Sequence, residues 1–318
     1  MQALVTGGAG FIGSNLAAAL VADGVRVRVL DDLSTGSMAN LRGVAEELEV
    51  VVGDVRAPDQ VRKAMARADA VYHLAALPRV ARSVADPFGT HLVNVNGTLN
   101  VLLAARDAGV RRLVFASSSS VYGDTPTLPE HEDLAPRPQS PYAASKLAGE
   151  AYCRAFSNVY GLETVSLRFF NVFGPRQDPT GEYATAVPRF IARMLAGEPP
   201  TIFGDGKQSR DFTHIDNVIR ASRLAAKASG DVAGEAINVG CGARTSLLDL
   251  IDTLNGILGT RIEPEFAEPR PGDVRDTEAA VEKAQDLLGY RPEVDLRDGL
   301  TRTVAWFAEH APILWGSR

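Results

Sequence analysis

The sequence predicts an α/β fold, a doubly wound parallel sheet with a smaller, interleaved C-terminal α/β lobe. Three observations lead there. Short apolar runs alternate with stretches of helical periodicity through the first two-thirds of the 318 residues. A glycine-rich turn directly follows the first run, and after Asn171 the texture shifts to Gly, Pro and Asp. Such alternation is the pattern of parallel strands joined by crossover helices, with both sheet faces covered.

Strands are expected at 3–6 (ALVT), 25–30 (VRVRVL), 48–52 (LEVVV), 70–74 (AVYHL), 112–117 (RLVFAS) and 163–169 (ETVSLRF). Helices fall between them at 11–24, 57–68, 96–109 and 140–161. In the last of these, Ser140 offers a capping hydroxyl and Pro141 suits the first turn, where an N–H would lack a partner. Past Asn171 the periodicity predicts helices at 186–196 and near 215–229, then a strand at 236–240 (AINVG) that returns to the main sheet. A helix at 246–258, a strand at 262–268 and helices at 277–289 and 297–310 complete the chain. The expected division sets residues 1–170, with a returning segment at about 213–242, against a lobe of 171–212 and 243–318. That lobe would sit over the carboxyl ends of the strands, where open α/β sheets bind ligands.

Composition narrows the class. With 45% hydrophobic and 23% charged residues and a net charge of −6, the chain has core-forming capacity but no basic footprint for nucleic acid. No apolar run approaches the roughly 18 residues of a spanning helix, and MQALVTGGAG carries no leader pattern. Cys153 and Cys241 stand far apart with no metal-ligand spacing, so neither a disulfide scaffold nor a structural metal is expected. The expected setting is the cytoplasm.

Residues 6–13, TGGAGFIG, satisfy G-x-G-x-x-G through Gly8, Gly10 and Gly13, and G-x-x-G-x-x-G through Gly7, Gly10 and Gly13. A glycine turn alone is weak evidence; between a strand and a helix it becomes the dinucleotide signature of a Rossmann-type domain. Glycines let a pyrophosphate approach backbone N–H groups at the helix N-terminus. Asp31 ends the second strand, where a carboxylate accepts from ribose hydroxyls. With Asp32 beside it and no Arg next in sequence, a 2′-phosphate is repelled and NAD is favoured over NADP. Asp54-Val55 and Leu74-Ala75-Ala76 are further cofactor-lining turns.

Those features give weight to SPYAASK (140–146), where Tyr142 and Lys146 lie one turn apart on a helix. Together with GDVR (53–56), YHLAA (72–76), NVNGTLN (94–100), SSSSVYGD (117–124), RFFNVFGPRQDP (168–179), GDGKQSRDF (204–212) and EPRPGDVR (268–275), it makes the chain resemble the extended short-chain dehydrogenase/reductases. Within that family it resembles the NAD-dependent nucleotide-sugar epimerases and dehydratases, above all the UDP-N-acetylglucosamine and UDP-glucose 4-epimerases. Hydride transfer from a secondary alcohol needs a base for the hydroxyl proton, and a phenol serves once nearby positive charge favours phenolate. The resemblance assigns Tyr142 as that base, Lys146 as its ammonium neighbour and ribose ligand, and Ser118, with Ser117 and Ser119 as adjacent fallbacks, as the hydroxyl completing the set. It adds Phe11, Ile12, Asn94, Ser117 and Phe170 to the cofactor residues.

Relatives share the oxidation at C4 and differ in the fate of the ketone. The resemblance implies that dehydratases carry Asp-Glu, and decarboxylases a Glu, where this chain has Ser119-Ser120. Serines supply no carboxylate acid or base, so return of the hydride to the opposite face, 4-epimerisation, is expected. Arg210 and Arg270 are the implied diphosphate clamps, with Asn171 beside them, and Val187, Phe203, Gln208 and Asp273 on the uridine side. Thr277 stands where strict glucose/galactose epimerases carry Tyr, leaving room for an acetamido group. Asp178 stands where glucuronate epimerases place Arg, although Arg79 or Arg82 could take that part. A UDP-glucuronate 4-epimerase and a net nucleotide-sugar dehydrogenase or reductase are the alternatives. A cofactor-sensing protein is disfavoured because Tyr142 and Lys146 are both present. The family also implies a homodimer through the helices near 94–108 and 142–160.

Overall fold

The computed structural model describes residues 1–78, 80–180, 184–229, 232–269 and 274–315, with side chains as far as residue 310. Arg79, Arg270 and Asp273 lie outside the described residues. The chain runs β1 (Gln2–Thr6), α1 (Phe11–Ala22), β2 (Arg26–Asp31), β3 (Leu48–Val52), α2 (Pro58–Met65), β4 (Ala70–His73), α3 (Val80–Ala85) and α4 (Pro87–His91). A π-helical turn (Leu92–Asn96) leads into α5 (Gly97–Asp107), followed by β5 (Arg112–Ser118), α6 (Pro141–Tyr160) and β6 (Glu163–Phe169). Then come β7 (Val172–Phe173), α7 (Ala186–Leu195), β8 (Thr201–Phe203), β9 (Ser209–Arg210), β10 (Thr213–His214), α8 (Ile215–Lys227) and β11 (Glu235–Val239). The remainder is β12 (Thr245–Ser246), α9 (Leu247–Leu258), β13 (Glu265–Ala267), α10 (Glu282–Leu288) and α11 (Leu296–Trp315).

Seven strands form one parallel sheet in the order β11-β6-β5-β4-β1-β2-β3. This is the doubly wound Rossmann arrangement that the alternating runs predicted. Side chains alternate across it as the two-residue strand period requires. Ala3 and Val5 join Leu16, Ala17 and Leu20 of α1 and Val218 of α8 on one face, and Leu4, Leu113 and Phe115 join α2, α5 and α6 on the other. Burying each such large apolar side chain contributes about 1.5–3 kcal/mol. Strand order reverses between β1 and β4, which opens the crevice at their carboxyl ends.

A third apolar cluster joins Phe190 and Ile191 of α7, Leu250 and Leu254 of α9 and Phe307 of α11. Two- and three-residue strands stitch this part together: β7 with β10, β9 with β12, β8 with β13. In this part of the chain one helix starts later than expected. Residues 277–281 are not helical, and α10 begins only at Glu282. Their backbone is taken by other segments, Thr277 N donating to Ser209 O and Ala280 N to Glu130 O, while Glu130 N donates to Glu278 O. Tertiary pairing here outcompetes a helix-prone stretch.

Candidate active site

At the switch point the chain leaves β1 and turns at once. Gly7 N donates to Leu30 O at 2.8 Å, Gly10 N to Gly7 O at 3.1 Å and Ser14 N to Gly10 O at 3.0 Å, which carries the turn into α1. Gly7 has φ +70°, and a Cβ there would stand 2.7 Å from Ala75 N; at Gly13 it would stand 2.1 Å from Gly7 O. The backbone cradle therefore has no room for a side chain. It opens into a cleft of about 300 Å³ walled by the glycine turn, Phe11, Ile12, Asp31, Asp32, Val55 and Leu74-Ala75-Ala76. All of these were expected from the sequence.

Asp31 holds the loop together. Its Oδ2 accepts from Ala9 N at 2.9 Å and its Oδ1 from Leu33 N at 2.8 Å. Burial pushes its carboxyl above the usual range, and the two N–H donors work against that rise. Each carboxylate oxygen keeps acceptor capacity beyond these bonds. A Cβ-free cradle at a helix N-terminus and a carboxylate at the end of β2 fit a dinucleotide. The one cation among the described lining residues, Arg176, bonds through Nη1 to Ser14 O at 2.8 Å on α1. Asp54 does not line the cleft: its carboxylate takes the Arg56 guanidinium, which holds it below the usual range, and its neighbours Gly53 and Val55 form the wall instead.

Helix α6 begins as SPYAASK predicts, with Ser140 Oγ accepting from Ala143 N at 3.1 Å and Pro141 in the first turn. Tyr142 N donates to Ser83 Oγ at 3.0 Å, and Lys146 Nζ to Ala116 O at 2.7 Å. Ala116 is itself part of the cleft wall, so the Tyr-Lys face borders the cleft. Nζ stands 5.9 Å from the Tyr142 ring centroid. Burial pushes Tyr142 up to about 12, opposed by a hydrogen bond with Ser118. Burial also pushes Lys146 down to about 8.

Asn94 is 2% exposed and stands behind the cleft. From the π turn its Oδ1 accepts from Leu77 N at 2.8 Å and its Nδ2 donates to Ser145 Oγ at 2.9 Å, tying the β4 loop to α6. Ser117 likewise turns away, donating to Glu150 Oε1 at 2.5 Å. The ring of Phe170 is fully buried against Val121, Tyr122 and Ala279 rather than on the cofactor side. Sequence reasoning gave His73 no role. It is completely buried, bonds Thr6 Oγ1 at 2.7 Å and Thr98 Oγ1 at 2.9 Å, and is driven by burial to about 3, hence neutral. It locks β1, β4 and α5 at the switch point.

On the other side, Ser119 and Ser120 form a short 3₁₀ turn, with Ser120 Oγ donating to Ser118 Oγ at 2.9 Å. Asn171 Nδ2 donates to Thr277 Oγ1 at 3.0 Å, which brings together two residues 106 apart in sequence. Arg210 is steadied by bonds from Nη1 to the Ser209 and Arg275 carbonyls at 2.9 and 2.8 Å. Gln208 Nε2 donates to Phe203 O at 2.6 Å, and Arg189 lies 5.6 Å from the Phe203 ring centroid. Val187 departs from its expected place: at 2% exposure, its side chain packs into the lobe core with Phe190 and Ile191. Cleft residues that the sequence reading passed over include Pro78, Thr185 and Arg176. For Arg176 a signal exists in its left-handed backbone, φ +70°, within GPRQ, but only the fold shows where that turn points.

A family model described as the NAD dependent epimerase/dehydratase family matches residues 3–240. A UDP-glucose 4-epimerase of Mycolicibacterium smegmatis is 43% identical over 311 residues, covering 96% of this chain and 98% of the relative. Among solved structures, a UDP-N-acetylglucosamine 4-epimerase from Methanobrevibacter ruminantium M1 in complex with UDP-N-acetylmuramic acid superposes with a TM-score of 0.93 at 38% identity, covering 97% of this chain and 98% of that one. A UDP-glucuronic acid 4-epimerase from Bacillus cereus, in complex with UDP-glucuronic acid and NAD, gives a TM-score of 0.90 at 36% identity, covering 97% and 99%.

Proposed function

As the chain belongs to the NAD dependent epimerase/dehydratase family, we propose that it is an isomerase that inverts C4 of a UDP-hexose through a transient 4-keto sugar. UDP-GlcNAc/UDP-GalNAc and UDP-Glc/UDP-Gal are the proposed substrate pairs. Bound NAD supplies the hydride acceptor and donor for C4, together with positive ring charge that favours phenolate. Tyr142 takes the C4 hydroxyl proton and later returns it, Ser118 bonds the phenol, and Lys146 keeps a cation one turn away.

The observation that carries this reading is the Ser118-Ser119-Ser120 turn, which puts hydroxyls and no carboxylate on that segment beside Tyr142. Elimination of water needs an acid and a base at the sugar. Without them on this turn, the ketone is left to accept hydride on its other face. Arg210 and Asn171 are proposed to hold the diphosphate, and Phe203 and Gln208 to border the uridine. The small Thr277, bonded to Asn171, leaves width for an acetamido group. Asp178, on the cleft wall, opposes a uronate carboxylate.

Incubation with UDP-GlcNAc, UDP-Glc and UDP-GlcA, each followed by NMR at C4, tests this directly. The C4 epimer should form from one or both of the first two without net use of added NAD. Epimer from UDP-GlcA alone would make the protein a glucuronate epimerase, and a stoichiometric change at 340 nm a net redox enzyme. No product from any of the three sinks the assignment.

We also propose that residues 171–212 and 243–318 act as the UDP-sugar lobe over an NAD-binding domain, in the cytoplasm, as a homodimer. Supporting the dimer, Val84 of α3, Phe88 of α4 and Val159 and Tyr160 of α6 are 65%, 71%, 70% and 52% exposed. These three helices pack on one another, and apolar surface of this kind favours a second copy. Sedimentation velocity should show a dimer at micromolar concentration; a 33.9 kDa species alone refutes it.

A further inference from the structure

Helix α6 presents three polar side chains a turn apart: Tyr142, Lys146 and Glu150. Each meets one of three consecutive residues at the end of β5. Ser118 bonds the phenol, the Ala116 carbonyl takes Lys146 Nζ at 2.7 Å, and Ser117 Oγ donates to Glu150 Oε1 at 2.5 Å. From β6, Arg168 closes on the same carboxylate, Nε to Oε1 at 2.9 Å and Nη2 to Oε2 at 2.8 Å. The two side chains are only 5% and 8% exposed.

A buried ion pair is weak evidence for stability, because apolar side chains of the same size often serve a core equally well. What distinguishes this pair is its neighbour. We infer that Glu150 is a positioning residue for the hydride site: it anchors the face of α6 that carries Lys146 and keeps that ammonium charged at neutral pH.

The other titratable groups that face Lys146 do not provide that charge. Cys153 on α6 is pushed by burial to about 12 and stays a thiol. His73 on β4 is driven to about 3 and stays neutral. Tyr142, pushed up to about 12, is a phenol. The Phe115 ring, 5.1 Å from Nζ, adds a weak cation–π contact. Burial pushes the 3% exposed Lys146 down to about 8; Cys153 and Glu150 are the two side chains set against that fall, and of the two only Glu150 is a carboxylate. Arg168, behind the carboxylate, reduces its effect and fixes its position. Ser117, expected at the cofactor, thus acts one layer behind it.

This inference rests on reading Tyr142 and Lys146 as the hydride site, but its test reads the lysine whether or not a sugar turns over. The chain has five lysines, so ¹³C labelling at lysine Cε gives a resolvable set of NMR titrations. Lys146 in the parent should titrate near 8. In Glu150→Gln its midpoint should fall by about one pH unit, the low end of what a neighbouring opposite charge supplies. The high-pH limb of kcat should move down with it. Glu150→Asp, which keeps the charge, should bring both back toward the parent. An unmoved midpoint in Glu150→Gln, with both variants merely less stable, overturns the inference. If Glu150→Gln does not fold, the parent still decides: a Lys146 already neutral at pH 7 with Glu150 in place overturns it.

Discussion

Replacing Tyr142 with Phe is expected to lower kcat by roughly 10²- to 10⁴-fold, the range for loss of a positioned general acid–base group. Only Oη is lost. The ring, the α6 N-cap at Ser140 and the Lys146 bond to Ala116 O all remain. Retention of NAD and the thermal midpoint should therefore stay close to the parent, the missing phenol bond being worth about 1 kcal/mol. The pH profile adds a signature. In the parent the rising limb belongs to Tyr142, whose phenol the nicotinamide charge must draw well below its NAD-free value of about 12 for phenolate to form. The falling limb belongs to Lys146, whose folded value of about 8 lies below its ordinary 10.5. Residual activity in Tyr142→Phe should lose the rising limb. Turnover at the parental rate would remove Tyr142 from the chemistry, and loss of NAD together with activity would assign it to binding instead.

Gly13→Ala should disable the cofactor site. The added Cβ would stand 2.1 Å from Gly7 O and 2.7 Å from Gly8 Cα, and both neighbours are backbone, which cannot swing aside as a flexible side chain can. Either α1 moves off the sheet or the glycine turn is displaced. Overpacking of this kind costs about 1–3 kcal/mol or more, against about 0.5–1 kcal/mol that Ala gains over Gly in a helix. The net sign is destabilising. Moving the Gly7-Gly8 backbone also removes the close approach that a pyrophosphate needs. NAD stoichiometry of the purified protein and its unfolding midpoint measure the two effects. A variant that keeps full NAD and the parental midpoint would show that the turn yields, contrary to its contacts.

The main sheet was legible because its strands are apolar-rich runs of five to seven residues, except the four-residue β4, largely buried in all but the edge strand β3, with glycines or polar turns after them. Leu113 and Phe115 fall on one face and Val114 and Ala116 on the other from alternation alone. The two-residue strands left no such trace, since two residues carry no period. Helices α3 and α4 were missed for a related reason. They are six and five residues long, too short for helical periodicity to stand out. The site followed the same division. TGGAGFIG, Asp31 and SPYAASK are contiguous, so their chemistry is written locally. The bond from Asn171 to Thr277 spans 106 residues, and that from Glu150 to Arg168 joins a helix to a strand.

By itself, then, the sequence determined the sheet, the cofactor turn and the Tyr-Lys helix start, since each depends on backbone torsions and spacing within about one element. The direction of each side chain outside those runs was decided by tertiary structure. Phe170 and Val187 went into cores, and Asn94 to Leu77 and Ser145. The charges were decided there too. Burial drives Tyr142 up and Lys146 down, and burial is a property of everything packed around a residue, which no local spacing records.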